Sequence, residues 1–368
     1  MRMLLAALGF AAVAVHTAAA AAPSPQTLYE SQPDHLISAF AQDGPVLAWF
    51  EASSTDCNAV IVNQIGNGTY IKLPATTTQN VTCRWEVVPP VQLSLAGQNL
   101  LWTLREAAPP APLPFDYVLG AGVGDPNERR FLEIAHAKQG AGLWLGGIAG
   151  DSDTLVYAVT SVDYVNEVTC LSDPSLPGAC ALKIAGGGIH RTVGRSDTLV
   201  PQTSAAVAVA AAGTTVAYVP AVAIGKHGQP LAGAHTPIEI RNAATGELIG
   251  EVTPRGTPVA IALSSTMLAT LERTPLGLRL GWYAPSGGSL GGSVPVPKDA
   301  SPELSAGARL IVFHVGRSIR CVDVTSGRVR TLAGAASTPI GLSVEGNRVA
   351  WAENVKGRGR IRDLIVKG

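Results

Sequence analysis

The sequence has 368 residues, of which 27 are basic and 27 acidic, and it is 46% hydrophobic but only 15% charged. This balance excludes a disordered chain, and the 40 glycines and 26 prolines follow no collagen period. A net charge of zero provides no overall attraction to nucleic acid.

The first 22 residues resemble a leader for export. Arg2 gives a positive start, Leu4 to Val15 is an apolar run, and small residues up to Ala22 offer cleavage sites before Pro23. The apolar run is too short for a comfortable membrane span. We therefore expect a signal peptide at 1–22, a single domain at 23–368, a secreted protein and no stable membrane insertion.

The five cysteines fit an exported chain. Cys170 and Cys180 enclose a turn-rich loop and predict a local disulfide, and Cys57 and Cys83 flank a predicted hairpin and predict a second one. Cys321 lies in an alternating apolar stretch and is expected to be a buried free thiol. The high alanine and glycine content, with 20 arginines against 7 lysines, is typical of a GC-rich bacterial genome.

After residue 22 the chain shows a strand-and-turn pattern and no long amphipathic helix. One unit recurs: a strand of small residues, a turn that usually contains glycine, and an apolar strand that usually carries an aromatic residue. Seven copies occur, with second strands at Val46–Trp49, Leu100–Trp102, Thr154–Tyr157, Val216–Tyr218, Met267–Ala269, Leu310–Phe313 and Val349–Trp351. Their spacing of about 40 to 60 residues is in the range of propeller blades.

These seven units, together with the hairpin turns Thr245-Gly246 and Ser326-Gly327, resemble the β-propeller superfamily of the WD-repeat-like or TolB-like kind. The Gly-His and Trp-Asp signatures of true WD repeats are absent. The resemblance implies an all-β fold, a seven-bladed β-propeller with four-stranded antiparallel blades. Small side chains in the first strand of each unit suit the crowded axis of a propeller.

The two ends of the chain predict how the ring closes. The last unit has room for three strands, which finish near Ile361 to Val366, and a strand from about Gln26 to Ser31 can supply the fourth. Sharing a blade between both ends removes an open sheet edge. Six blades is the alternative, if the degenerate copy near Met267 belongs to a neighbouring blade.

The resemblance also implies that ligands bind on the face that carries the loops between the second and third strands of each blade. These loops are long in three consecutive units, at Glu106 to Pro114, Val162 to Cys180 and Ala223 to Pro237. Functional residues concentrate on such loops, although insertions also drift at tolerant sites. The candidate ligand-binding residues are Asp163, Tyr164, Asn166, Glu167, Lys226, His227 and His235.

Signals for catalysis and cofactors are weak. His227 and His235 have poor spacing for a metal site, and Asp151-Ser152-Asp153 is first a turn motif. No nucleophile elbow or phosphate-binding loop occurs. We expect no catalytic residues, no metal and no cofactor, although Asp163 and Glu167 keep paired-carboxylate chemistry open.

The zero net charge conceals an asymmetry. Residues 1–184 hold 8 basic and 16 acidic residues, and residues 185–368 hold 19 and 11. A ring would turn these sequence halves into spatial halves and place a basic patch near the closure, for which the candidates are Arg317, Arg320, Arg328, Arg330, Arg358, Arg360 and Arg362. Such a patch can attract an anionic polymer, a lipid head group or an acidic partner.

The sequence thus predicts a secreted, non-catalytic propeller that binds a ligand or a protein partner through the loop insertions of blades two to four. The partner is an unknown protein, glycan or envelope ligand and not a nucleic acid, and the chain is expected to be a monomer. The alternative is an extracellular carbohydrate-active enzyme, a glycosidase or lyase, on the same scaffold. Propellers host many unrelated functions, so the fold alone does not decide between the two.

Overall fold

The computed structural model describes residues 24–53, 59–66, 70–73, 81–83, 87–106, 115–135, 141–176, 178–288 and 290–366. The predicted leader at 1–22 therefore lies outside the described residues, as does Cys57. No helix in these ranges is long and apolar enough to cross a membrane.

The described chain consists almost entirely of strands, with one short α-helix, α1 (Glu167–Ser172), and one 3-10 turn, Val81–Cys83. In chain order the strands are β1 (Gln26–Glu30), β2 (Leu36–Asp43), β3 (Val46–Ala52), β4 (Ala59–Gln64), β5 (Tyr70–Leu73), β6 (Val87–Ala96), β7 (Asn99–Glu106), β8 (Phe115–Gly122), β9 (Asp125–Ala135), β10 (Gly142–Asp151), β11 (Thr154–Tyr164), β12 (Leu182–Val193), β13 (Ser196–Leu199), β14 (Ala206–Ala212), β15 (Thr215–Pro220), β16 (Ala223–Ile224), β17 (Pro230–Leu231), β18 (Ile238–Asn242), β19 (Leu248–Val252), β20 (Thr257–Leu263), β21 (Leu268–Thr274), β22 (Gly277–Tyr283), β23 (Leu290–Pro295), β24 (Ala300–Ala306), β25 (Leu310–Val315), β26 (Ser318–Asp323), β27 (Arg328–Gly334), β28 (Ile340–Glu345), β29 (Arg348–Val355) and β30 (Arg358–Ile365).

The strands form seven four-stranded antiparallel sheets, and their arrangement is a seven-bladed β-propeller. Blades 1 to 3 are β2–β5, β6–β9 and β10–β13; blade 4 is β14, β15, β18 and β19; blades 5 and 6 are β20–β23 and β24–β27. Blade 7 consists of β28, β29, β30 and β1. The strands of each blade are called a to d from the axis outward, and the small hairpin β16–β17 is an addition to blade 4.

All seven repeats of the sequence correspond to strands b of the blades, so the repeat pattern predicts the architecture correctly. Six of these strands carry a buried aromatic residue, namely Trp49, Trp102, Tyr157, Tyr218, Phe313 and Trp351. The degenerate copy near Met267 has Thr270 in the corresponding place and is nevertheless a complete blade, β20–β23. The ring therefore has seven blades and not six.

The predicted closure of the ring is also confirmed. Strand β1 pairs antiparallel with β30, with Gln26 opposite Asp363 and Glu30 opposite Arg360. The N-terminal strand thus becomes strand d of the blade that holds the C-terminal end of the chain. This pairing covers an edge that would otherwise present unpaired backbone groups.

The core lies between neighbouring blades, where the apolar faces of successive sheets meet. Phe50 of blade 1 and Trp102 of blade 2, for example, are both fully buried, and their rings lie 5.6 Å apart in an edge-to-face arrangement. Edge-to-face ring contacts add to the free energy of apolar burial. Each blade is therefore held chiefly by its two neighbours.

The antiparallel order of the strands gives the ring two different faces. Because all seven strands a run in the same direction, the turns between strands a and b lie together on one face, here called the turn face. The connections between strands b and c lie on the opposite face, here called the insertion face.

Candidate functional site

The insertion of blade 3, residues 165–181, is a compact structure on the insertion face. It contains α1, whose first turn is capped by the Asn166 side chain, which accepts a hydrogen bond from the Thr169 N–H at 3.1 Å. A disulfide joins Cys170 and Cys180, as the sequence predicts, and Cys170 is buried. The covalent link restricts the loop and holds α1 in place.

The insertion of blade 4, residues 221–237, lies beside it. Its hairpin β16–β17 contacts strand β12 of blade 3. Its far end is tied to blade 5 by His235, whose N–H donates to the Gly256 carbonyl at 3.1 Å and whose Nδ1 lies 3.0 Å from the Pro254 carbonyl oxygen. Contacts on both sides thus hold this insertion against the ring.

Large apolar side chains are exposed along this part of the insertion face. They are Val165, Val168, Leu171 and Leu176 in the blade 3 insertion, Val222 and Leu231 in the blade 4 insertion, and Leu276 in the b–c turn of blade 5. Val168 and Leu171, both on α1, are 77% and 72% exposed, and Leu276 is 94% exposed. We call these seven residues the apolar rim. Exposed apolar groups that gather in one region indicate an interaction surface more strongly than scattered ones do.

The ligand-binding candidates of blade 3 lie at the end of strand β11 and at the start of α1. Asp163 and Tyr164 end strand β11, and Asp163 faces Lys183 across the ladder. Glu167 lies in the first turn of α1, next to the capping residue Asn166. The structure gives Asn166 a structural role and leaves Asp163 and Glu167 exposed.

The candidates of the blade 4 insertion are farther apart from one another. Lys226 and His227 lie at the exposed tip of the β16–β17 hairpin, and His235 lies at the base, with a left-handed φ of 58°. His227 and His235 belong to no group of three or more possible metal ligands among the described residues. The long loop of blade 2 falls at residues 107–114, outside the described residues.

The arginines of the predicted basic patch divide into two sets. Arg358, Arg360 and Arg362 contact the N-terminal segment that closes the ring: Arg358 and Arg360 pair with Glu30 at 3.8 Å and 2.7 Å, and Arg362 donates to the Pro25 carbonyl at 3.0 Å. These three contacts stabilise the closure and partly neutralise the charge. Arg320 is half-buried, and three remain exposed, Arg317, Arg328 and Arg330.

A cavity of about 810 Å³ occupies the central channel toward the turn face. All seven strands a line it, mostly with alanine, glycine, serine and leucine, because larger side chains would not fit around the axis. The polar residues of the lining include Gln42, Asp151 and Glu345.

Three acidic side chains meet at this end of the channel. Oxygen atoms of Asp43, Asp151 and Glu345, the last residues of strands a in blades 1, 3 and 7, all lie within 4.8 Å of one another. We call these three residues the channel carboxylates. They originate from distant parts of the sequence and are brought together by the ring.

Backbone N–H groups of neighbouring turns hold the channel carboxylates in place. Asp43 Oδ2 accepts from the N–H of Gly97 and from the N–H of Ser152 at 3.0 Å, and Asp151 Oδ2 accepts from the N–H of Gly213. Each aspartate thus reaches into the a–b turn of another blade. These bonds fix the orientation of both side chains at the end of the channel.

The pKa of the Glu345 carboxyl group is determined by its burial and by its acidic neighbours. Burial and the negative charges of Asp151 and Asp43 raise the pKa of Glu345 to about 7, against a smaller opposing effect of a hydrogen bond from the Gly44 N–H. Like charges this close make full ionisation unfavourable. The three carboxyl groups make the electrostatic potential negative at the turn-face end of the channel.

Sequence reasoning missed the channel carboxylates and the apolar rim. Asp43 and Asp151 were visible as the acidic residues of repeat turns, and Glu345 precedes Gly346 in the same place of the last repeat. The recurring acid immediately before a–b turns was the available signal, since the closed ring brings these turns together. The rim depends on which side of α1 and of the hairpin is exposed, which the sequence alone does not determine.

No family model matches the chain, and no curated protein matches it in sequence. Among solved structures it is similar to the β-propeller domain of the Trilobed protease from Pyrococcus furiosus, with a TM-score of 0.50 and 11% identity over 90% of this chain and 98% of that one. A chain of the Mitotic Checkpoint Complex gives a TM-score of 0.51 at 10% identity, with 100% of both chains covered. The acylaminoacyl peptidase from Pyrococcus horikoshii gives 0.51 at 10% identity, over 90% of this chain and 52% of that one. At these identities the similarity establishes the β-propeller fold and nothing about activity.

Proposed function

We propose that this protein is an exported, non-catalytic propeller that binds a protein partner through the insertion face of blades 3 and 4. The observation that carries the proposal is the apolar rim: exposed valine and leucine side chains on insertions that are already held in shape. Such exposed apolar surface is costly in water unless a partner covers it.

The rigidity of the insertions supports a binding role. The Cys170–Cys180 disulfide and the Asn166 cap order the blade 3 insertion, and His235 anchors the blade 4 insertion to blade 5. A surface that is ordered before binding loses less conformational entropy when its partner arrives. The ring therefore acts as a rigid base for a preformed binding surface.

The chemistry of the rim favours a protein over a glycan. Its side chains are aliphatic and make no hydrogen bonds, whereas a sugar needs polar partners for its hydroxyl groups. Tyr164 is the only Phe, Tyr or Trp within the two insertions and the final residues of β11. The partner is thus a protein with an apolar contact patch, and the exposed acids Asp163 and Glu167 favour basic residues at its margin.

Export is part of the proposal. The leader pattern at 1–22 supports it, and so does the disulfide, because such bonds persist in oxidising compartments. The partner is accordingly expected outside the cytoplasm.

The channel carboxylates invite comparison with a glycosidase, the alternative from the sequence. Retaining enzymes of that kind place two carboxyl groups about 5–5.5 Å apart, with one pKa raised. Here Asp43 and Asp151 are each engaged with backbone N–H groups of other blades. Phe40 is the only aromatic residue that lines the channel cavity among the described residues. These features favour a role in holding the ring over a role in sugar hydrolysis.

The test is site-specific photo-crosslinking in the exporting cell. A photo-reactive amino acid at Val168 is expected to trap one partner outside the cytoplasm, because Val168 lies on α1 and is 77% exposed. The purified partner is then titrated against the purified protein and against a Val168→Glu, Leu171→Glu double variant. A glutamate at both positions is expected to weaken the affinity of the protein for its partner at least tenfold, which is roughly 1.4 kcal/mol.

The matched control is Val329→Glu, which places the same charge on an exposed valine of strand d in blade 6, far from the insertions. It is expected to leave the affinity unchanged within about twofold. Equal binding by the double variant and the control, or no crosslink at Val168, would contradict the proposal.

A further inference from the structure

The channel carboxylates concentrate negative charge without a compensating cation from the protein. Among the described residues, no lysine or arginine forms an ion pair of 4.0 Å or less with Asp43, Asp151 or Glu345. Three carboxylates this close repel one another, and most proteins balance such a group with a basic side chain or a metal ion.

The backbone contacts leave ligand positions open. The hydrogen bonds that Asp43 and Asp151 accept from described residues all end on Oδ2, so the Oδ1 atom of each has no partner among these residues. A carboxylate has about four acceptor positions, so several remain for an ion. The N–H groups orient the side chains without saturating them.

A fourth oxygen at the same place is buried and has no partner. Gln42 is 92% buried, since only 8% of its surface is exposed, and its Oε1 has no hydrogen-bond partner. A buried amide oxygen without a partner carries an unfavourable desolvation free energy, which indicates a missing ligand.

The Gln42 amide lies beside the channel carboxylates and shares a backbone neighbour with one of them. Its Nε2 donates to the Gly44 carbonyl at 2.8 Å, and the N–H of the same Gly44 donates to Glu345. The amide and the Glu345 carboxylate thus bond the two backbone groups of one residue, Gly44, which follows Asp43 in the chain. Gln42 also lines the same cavity as Asp151 and Glu345.

We propose that Asp43, Asp151, Glu345 and Gln42 bind one calcium ion at the turn-face end of the channel. All four contribute oxygen ligands, which hard divalent cations prefer. Water in the channel cavity supplies the remaining ligands.

The number of protein ligands favours calcium over magnesium. Calcium takes six to eight oxygen ligands in flexible geometry, so it accommodates three carboxylates and an amide oxygen from one protein. Magnesium demands near-ideal octahedral geometry, keeps several waters and usually takes only one or two carboxylates. Three carboxylates within 4.8 Å of one another, with the Gln42 amide in the same cavity, therefore suit calcium better.

The ion would add a shared ligand to three blades that already contact one another through hydrogen bonds at this end of the channel. Its ligands come from blades 7, 1 and 3, and blade 7 is the one that closes the ring. Calcium binding is therefore expected to raise the stability of the closed ring, because an ion that binds only the folded state stabilises it.

The experiment is calcium titration of the purified, chelator-treated protein by calorimetry, with the melting temperature measured in parallel. The wild type is expected to bind one calcium ion per chain with a Kd of about 1 mM or tighter, and to melt at a higher temperature in calcium. Glu345→Gln removes one charged ligand and keeps the shape of the side chain. It is expected to weaken calcium binding at least tenfold, and Gln42→Met is expected to weaken it several-fold.

Asp153→Asn is the matched control, since Asp153 is an exposed acid in the same turn as Asp151 but outside the channel carboxylates. Its Kd for calcium is expected to lie within about twofold of the wild-type value. No saturable one-to-one binding by the folded wild type, or equal weakening by Asp153→Asn and Glu345→Gln, would overturn the proposal. Binding of magnesium as tight as calcium would overturn the assignment of the ion. Circular dichroism of each variant confirms that the ring is folded, so a loss of binding is not a loss of structure.

Discussion

At the scale of single residues, acidic side chains at the ends of strands b hold the connections on the insertion face. Glu353 is fully buried and accepts the Ala336 N–H at 2.7 Å, and Glu272, equally buried, accepts the Arg255 N–H at 2.8 Å. Buried charges persist when hydrogen bonds satisfy them. These glutamates are therefore part of the architecture, although their type and burial resemble those of catalytic acids.

His314 on strand b of blade 6 leads to a prediction about pH. Burial disfavours its charged form, but the hydrogen bonds to Glu303 and to the Gly316 carbonyl outweigh burial and raise the pKa of His314. A histidine whose folded pKa is raised adds stability that is complete below its unfolded pKa, about 6.5, and is lost as the pH rises through the folded pKa. We expect His314→Gln to lower the melting temperature by about 1–2 °C more at pH 5.5 than at pH 8.5.

The control for this prediction is His227→Gln, which changes an exposed histidine at the tip of the β16–β17 hairpin. Its melting temperature is expected to follow the wild type at both values of pH. A larger effect of His314→Gln at pH 8.5 than at pH 5.5 would show that the sign is wrong.

At the scale of strands and loops, the sequence pattern predicts most of the fold. The alternation of small strand, glycine turn and aromatic strand locates every strand b, because side-chain volume near the axis and in the blade core is severely restricted. The insertions lack such a repeated constraint. Loop length predicts where they are, but the helix α1 and the hairpin β16–β17 depend on contacts specific to this chain.

The disulfide allows the order of the blade 3 insertion to be tested. Closing a loop of this size contributes about 2–3 kcal/mol by restricting the unfolded loop, and the effect is local because the insertion lies outside the ring. We expect a Cys170→Ser, Cys180→Ser double variant to be cleaved within 165–181 at least tenfold faster in limited proteolysis. Its melting temperature is expected to fall by no more than about 3 °C.

Reduction of the wild-type protein serves as the comparison, since it opens the same bond without a substitution. The reduced wild type and the double variant are expected to give the same cleavage site. Unchanged resistance in both would mean that the insertion is ordered without the disulfide.

At the scale of the whole molecule, ring closure determines what the sequence could and could not reveal. It made the pairing of Gln26–Glu30 with the last strand predictable, because an open blade would leave a strand edge. It also explains why the channel carboxylates were missed, since residues 43, 151 and 345 become neighbours only when the blades surround a common axis. The charge of the expected basic patch is partly neutralised for a related reason, since the closing strand places Glu30 in an ion pair with Arg360.

Removing β1 tests how much the closure contributes. Deletion of residues 24–31 exposes the edge of β30 and removes the Glu30–Arg360 ion pair together with the backbone contacts of Arg362. We expect the melting temperature to fall by about 10 °C or more, and the protein to self-associate as its concentration rises, because the open edge pairs with other chains.

Glu30→Gln separates the two contributions, since it removes only the exposed ion pair. Such pairs contribute about 0–1 kcal/mol, so this variant is expected to remain monomeric with nearly the melting temperature of the wild type. A deletion variant that stays monomeric and melts like the wild type would contradict the role assigned to β1.

The shared blade also determines when the protein can finish folding. Strand β1 leaves the ribosome among the first residues of the domain, but its partner β30 ends at Ile365. No nascent chain that lacks β30 can form the closed ring, so blade 7 stays open until Ile365 has been synthesised, and pairing of such distant segments is slow. Formation of the last antiparallel pair, β1 with β30, is therefore a late step that every folding route of this ring shares.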